Sequence, residues 1–259
     1  METNIDRISE LPDALILHIF SFLNMEDVKE TCMLSKRWRY LWLSSPTLRI
    51  YDTYMSNDDD DFVSLNKFIN FVDRILLLRD TSSDIQTLKL RWMNINVYLD
   101  RLKLMYDVSS RIATWIMAAV KHNVQELVVS LLTYQVIKLP DCFFTCKSLT
   151  KFKFTGFGRD VTDFVLPNNT MCFPHLRYLA LTGVSVVGDE NLTSKLLSSC
   201  PVCMVVSGSL DLLDDLSIQF CNLRSLMVET WVSRNCMNAI AYLVKISPNI
   251  ESISVGIVK

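Results

Sequence analysis

No stretch of this chain approaches the ~18 consecutive apolar residues that a membrane-spanning helix needs, although half of its 259 residues are hydrophobic. Its opening, METNIDRISELPD, is polar and charged, unlike the basic start and apolar run of a signal peptide. The chain therefore reads as soluble and intracellular, in nucleus or cytoplasm, with its eight cysteines reduced and mostly serving as small core residues. Clustered positive charge is also missing. No basic run is longer than Lys36-Arg37, and 26 Lys and Arg against 28 Asp and Glu leave a formal net charge of -2. Such a balance provides no overall field for phosphate backbones and argues against a nucleic-acid partner.

Catalytic and metal-binding groups are sparse too. The three histidines are His18, His122 and His175. His18 falls in an apolar helix, His122 at a helix C-terminus where it can meet free carbonyls, and His175 just before a strand, so none reads as the activating base of a cysteine nucleophile. The only C-x-x-C is Cys200-Pro201-Val202-Cys203, without the second ligand pair that zinc requires, while Cys142 and Cys146 are spaced for one helical face. Gly156-Phe157-Gly158 lacks the lysine and following helix of a phosphate-cradling loop. The chain reads as a non-enzyme with no metal and no cofactor.

What is present divides into two compositions. Residues 7–43 read as three short helices. The first, PDALILHIFSFL, opens at Leu11-Pro12, where proline suits a first turn. Asn24 with Asp27 resembles a capping box that starts a second helix through Val28, Cys32 and Met33, and Ser35 can cap a third, SKRWRYLW. The first helix carries Leu15, Ile16, Leu17, Ile19, Phe20, Phe22 and Leu23 around nearly its whole circumference, so it must be buried on more than one side. A unit of roughly 40 residues seldom builds a sufficient core alone, which makes the surplus apolar face a candidate interface. YDTYMSNDDDD, from Tyr51 to Asp61, then breaks all periodicity and ends in four consecutive aspartates. It reads as a solvated linker instead of a calcium loop, because the acids are not interspersed with glycine and carbonyl ligands.

From Ile85 onward one pattern recurs: apolar, two variable residues, apolar, one variable residue, apolar. It appears as Ile85-Leu88-Leu90, Val124-Leu127-Val129, Leu149-Phe152-Phe154, Leu176-Leu179-Leu181, Leu213-Leu216-Ile218, Leu223-Leu226-Val228 and Ile250-Ile253-Val255, with a degenerate copy at Cys203-Val206. The central positions step by 39, 25, 27, 27, 10, 10 and 27 residues, mostly near the period of about 20–29 of leucine-rich repeats. Alternation within each copy predicts a strand with one face buried, and helical stripes lie between copies. These stripes are Phe68, Val72, Ile75 and Leu76; Ile112, Trp115, Ile116, Ala119 and Val120, ended by Asn123; and Met237, Ile240, Ala241 and Val244, stopped by Pro248. Stacked repeats give a curved parallel sheet whose variable positions face outward for binding. Steps of 10 residues are too short for a returning helix, so irregularity is expected near 203–228.

LPDALILHIFSFLNMEDVKETCMLSKRWRYLW resembles the F-box, with its opening Leu-Pro, apolar first helix and Ser-Lys-Arg-Trp third helix. FVDRILLLRDTSSDIQTLKL, SRIATWIMAAVKHNVQELVV and LPDCFFTCKSLTKFKF resemble the plant F-box proteins with leucine-rich repeats, of the FBD-associated type. The resemblance implies an α/β chain: residues 1–50 a three-helix F-box docking domain, 51–61 an acidic linker, and 62–259 an irregular leucine-rich-repeat solenoid. It further implies a substrate-recognition adaptor of an SCF-type cullin–RING ubiquitin ligase. Its F-box would bind a Skp-family adaptor, and through it a cullin, while the repeats bind a target protein. The positions matching the family's adaptor-facing residues are Leu11, Pro12, Leu15, Ile19, Phe20, Leu23, Leu34, Ser35, Lys36 and Trp38. Phe22, Val28, Leu41 and Trp42 are assigned to internal core, and Trp38 is a candidate hot spot. Family members often continue into a further C-terminal module, whereas a repeat strand here runs almost to Lys259. The alternative expectation is thus a competitor that occupies the adaptor without delivering a target.

Overall fold

A computed structural model of the full chain describes residues 10–52, 61–93, 107–132, 136–157, 162–165, 173, 175–187, 203–207, 223–230, 241 and 244–257. Three short helices come first: α1 (Asp13–Phe20), α2 (Met25–Thr31) and α3 (Trp38–Leu41), the last running into a 3-10 turn at Trp42–Ser44. Pro12 holds the N-cap position of α1 without a side-chain bond, as suits a residue that needs no backbone donor there. The helix ends earlier than its apolar run predicts. Ser21 turns its hydroxyl back to the His18 carbonyl at 2.6 Å, and α2 starts four residues later.

Eight parallel strands form the main sheet in the order β1 (Thr47–Tyr51), β2 (Thr87–Trp92), β3 (Glu126–Leu131), β5 (Lys151–Gly156), β7 (Tyr178–Thr182), β9 (Cys203–Ser207), β10 (Ser225–Thr230) and β11 (Ser252–Ile257). One register row crosses every strand: Leu48, Leu88, Leu127, Phe152, Leu179, Met204, Leu226 and Ile253. The predicted repeat is therefore the sheet itself, with two corrections. A copy at Ser45-Leu48-Ile50 went unread because its first position is serine, which is buried and bonds its hydroxyl to the Thr47 carbonyl at 3.0 Å. The degenerate copy centres on Met204, not Val206. Leu213-Leu216-Ile218 lies outside the described residues; β9 and β10 pair directly with each other. The central positions of the described strands step by 40, 39, 25, 27, 25, 22 and 27.

The two longest steps hold the two long helices, α4 (Asp61–Leu77) and α5 (Val108–Lys121). Their predicted stripes face the core: Phe68, Val72, Ile75 and Leu76 on α4, and Ile112, Trp115, Ile116 and Ala119 on α5, are buried. Asp107 caps α5 by accepting the Ser110 amide at 3.0 Å. At the other end Asn123 adopts φ +53, while Val124 N–H bonds the Ala119 carbonyl and Asn123 N–H the Val120 carbonyl, the paired bonds of a Schellman stop. Phe68, Trp92 and Trp115 pack edge-on or tilted with ring centroids 5.3–6.2 Å apart, and the Trp115 indole donates to Asp73 at 2.7 Å.

A second sheet, unread in the sequence, pairs β4 (Ile137–Lys138), β6 (Thr162–Val165) and β8 (Val184–Val187) in parallel. Its strands follow β3, β5 and β7 in turn, and a short helix, α6 (Asp141–Phe144), lies after β4. Gly183 makes the turn from β7 to β8 at φ +63, where an added Cβ would run into the Gly156 carbonyl oxygen. The third predicted stripe is not borne out. Ala241 and Val244 are exposed, Ile246 and Ser247 are buried, and Met237 and Ile240 lie outside the described residues. Among the described residues no helix is long and apolar enough to cross a membrane.

Candidate docking face and target face

The three N-terminal helices close on one another through a small interior. Ile16, Phe20, Met25, Val28 and Trp38 are buried, and the Phe20 and Trp38 rings meet edge to face at 5.7 Å. Two sequence-predicted contact residues are thereby reassigned. Phe20 is fully buried and Trp38 only 4% exposed, so both side chains hold the module together and are not offered to a partner. Leu11 and Leu23 are half-buried against the same core.

The rest of the predicted face is open. Leu15 is 51% exposed, Ile19 38% and Leu34 57%; Pro12 and Lys36 are exposed and Ser35 is half-buried. An ion pair between Asp13 and Arg37 ties the start of α1 to the segment before α3. Ser35 accepts the Arg37 amide at 3.1 Å, so it caps the turn before α3, not the helix itself. Asn24 fails as a capping box: it sits at the N-cap of α2, makes no cap bond, and its buried amide has no partner. Phe22 was assigned to the core but is 64% exposed. Because α1 stops at Phe20, Phe22 leaves the helical stripe and packs instead edge-on against His18 at 4.9 Å. Met33, which no contact reading included, is 87% exposed next to Leu34. Val28 is buried and Leu41 and Trp42 pack against the core, as expected.

This module is joined to the sheet without a gap. β1 falls within the range predicted for the docking domain, yet it pairs residue for residue with β2, and the Pro46 carbonyl accepts the Gln86 and Thr87 amides at 2.8 and 3.1 Å. Buried Arg79, just past α4, donates to the Ser45 and Asp84 carbonyls at 2.7 Å each and to Ser83 at 3.3 Å. Burial pushes its guanidinium pKa down, with Asp80 and Asp84 opposing. His122 completes the junction, its Nδ1 standing 3.2 Å from the Ser83 carbonyl, and burial holds its pKa below the ordinary histidine value. Asp80 is exposed, and bonds from the Ser82 amide and hydroxyl pull its carboxyl below the usual range. Of the expected linker, Tyr51 closes β1 and Asp61 opens α4; positions 53–60 lie outside the described residues.

Among the described residues no group of three or more His, Cys, Asp and Glu side chains is placed to hold a metal ion. Cys32 and Cys142 have thiol pKa values raised chiefly by burial, the reverse of an activated nucleophile.

A helical docking module continuous with a parallel leucine-rich-repeat sheet defines an F-box protein of the repeat-bearing class. The F-box domain model matches residues 8–49, and the model described as FBD-associated F-box protein At5g56370, LRR repeats, matches residues 112–255. The chain belongs to this family of FBD-associated F-box proteins with leucine-rich repeats. Similar proteins of Arabidopsis thaliana include F-box/FBD/LRR-repeat protein At5g56420, 32% identical over 83% of this chain and 44% of its own length. FBD-associated F-box protein At5g56370 is 36% identical over 77% and 42%, and F-box/LRR-repeat protein At3g59200 is 34% identical over 76% and 35%. The chain thus spans less than half the length of these relatives. No solved structure matches it.

Proposed function

We propose that the chain is the substrate-recognition adaptor subunit of an SCF-type cullin–RING ubiquitin ligase. Its F-box face binds a Skp-family adaptor, and through it a cullin, while the open side of the leucine-rich-repeat sheet binds the protein to be ubiquitinated. The docking unit ends at Pro46, ahead of β1, and the role is to hold two proteins at a fixed separation, not to catalyse. Such a subunit works in the nucleus or cytoplasm.

The observation that carries this reading is the row of large apolar side chains left in solvent by so small a module: Leu15, Ile19, Phe22, Met33 and Leu34. So many large apolar side chains left exposed on one small module mark a protein-interaction site. Burying each such side chain is worth about 1.5–3 kcal/mol, enough for several together to reach the roughly 8 kcal/mol of a micromolar complex after association costs. The Arg79 junction supports the same role, because an adaptor must transmit position from its docking face to its target.

Affinity purification of the tagged full chain, with cullin activation blocked, tests the proposal. Recovery of a Skp-family adaptor, a cullin and a protein whose abundance rises on the block supports it. Recovery without adaptor, or an adaptor complex that never contains a cullin, overturns it.

A further inference from the structure

The open face of the sheet is assembled from the residues that alternate with the buried row, and its charge is sharply divided. Across β1, β2, β3 and β5 this face carries Arg49, Lys89, Arg91, Lys151 and Lys153 against a single carboxylate, Glu126. Across β7, β9, β10 and β11 the equivalent positions hold no lysine or arginine at all. Glu126 is already engaged by Lys151 at 3.7 Å, and Lys151 also lies over the Tyr178 ring. Arg49, Lys89, Arg91 and Lys153 enter no side-chain ion pair among the described residues. Nε of Arg49 is buried without a hydrogen-bond partner.

Geometry adds a preference. Arg49, Lys89, Val128 and Lys153 form one register row across four neighbouring strands, so the three cations span roughly 14 Å at the inter-strand spacing of about 4.8 Å. An extended peptide advances about 3.3 Å per residue, and a segment of roughly five residues covers that span. The three cations are half-buried, which favours a short ligand seated on the sheet. Glu126 stands between β2 and β5 within the same basic field, a poor arrangement for a continuous polyphosphate backbone.

We propose that the N-terminal half of the open sheet face binds an acidic protein segment, one with two or three carboxylates within about five residues, held by Arg49, Lys89 and Lys153. This rests on the reading of the sheet as the target surface and names the chemistry of the target. The face is charge-selective at β1–β5, whereas the open-face positions from β7 onward carry no cation and one acidic residue, Glu229 on β10.

The test uses the purified full chain and three fluorescent probes: the peptide GEDEDEG, its amide counterpart GQNQNQG, and a single-stranded oligonucleotide. The acidic peptide is expected to bind, and to weaken several-fold as salt rises from 50 to 500 mM. The triple variant Arg49→Gln, Lys89→Gln, Lys153→Gln should lose roughly tenfold in affinity, while Met227→Gln on β10 should not change it. Salt dependence of the unaltered chain keeps the test decisive should the triple variant fold poorly. Equal binding of the amide peptide, a salt-independent signal, or an oligonucleotide bound more tightly than the acidic peptide overturns the proposal. Capture of a Skp-family adaptor by the same samples is scored separately. Peptide binding without adaptor capture sinks the ligase reading and not the acidic preference, and the converse result does the opposite.

Discussion

In the F-box module Leu15, Ile19, Phe22, Met33 and Leu34 stay in solvent, whereas from β1 to β5 every inward apolar position of the sheet is buried. Both regions are rich in large apolar residues. What separates them is size and layering. Three helices of four to eight residues can surround only a few side chains, while the sheet has α4 and α5 to cover its inner face. Polar satisfaction does not divide them: Asn24, Glu26 and Trp38 in the module and Arg49 and Ser247 in the solenoid each keep a buried polar atom without a partner, while Arg79 and Trp115 are bonded. The solenoid is built to be self-sufficient where it is covered, and the F-box is left incomplete on one side. An incomplete module of this kind gains from a partner what it lacks internally.

The contrast can be broken most forcefully in the core beneath the sheet. Trp115→Ala removes a buried indole packed on Phe68 and Trp92, and a loss of about 3–5 kcal/mol is expected in denaturant unfolding. Next comes the junction. Arg79→Ala leaves the Ser45 and Asp84 carbonyls without their donor, for an expected loss of about 2–3 kcal/mol in the same measurement. By contrast, Leu15→Ala with Ile19→Ala should change stability by no more than about 1 kcal/mol, since both side chains are already exposed. A drop as large as that of Trp115→Ala would show the face to be core.

The smallest effect is the pH dependence carried by His122. Its pKa is lowered on folding, so below the ordinary histidine value of about 6.5 the unfolded chain binds more protons than the folded one. Stability should therefore fall as pH drops through that value and level off below the folded pKa. His122→Gln should flatten this slope in thermal unfolding followed from pH 7.5 to 5.5; an unchanged slope would assign it to other groups.

The sheet was legible wherever both periods were clean: the copies centred on Leu88, Leu127, Phe152 and Leu179 are strands, and the α4 and α5 stripes are buried. The first repeat was hidden because Ser45 is buried through hydrogen bonds instead of hydrophobicity. Of the exposed positions proposed for docking, Leu15 and Ile19 were readable in the apolar first helix and Leu34 only through the family resemblance, but Phe22 was not, because the Ser21 turn that ends α1 depends on local bonding. Phe20 and Trp38 could not be separated from the contact set by pattern alone, since an all-apolar helix does not declare which side its neighbours cover. The basic field escaped for a topological reason: Arg49, Lys89 and Lys153 are far apart in the chain and meet only through strand register.

The central claim is that the exposed apolar face of α1 is the docking surface. Isothermal titration of a purified Skp-family adaptor into the full chain, set against the Leu15→Ala, Ile19→Ala variant, tests it most directly. Micromolar or tighter binding by the unaltered chain, weakened roughly 100-fold or more in a variant that melts normally, is the predicted result. Undiminished binding by that variant would contradict the account.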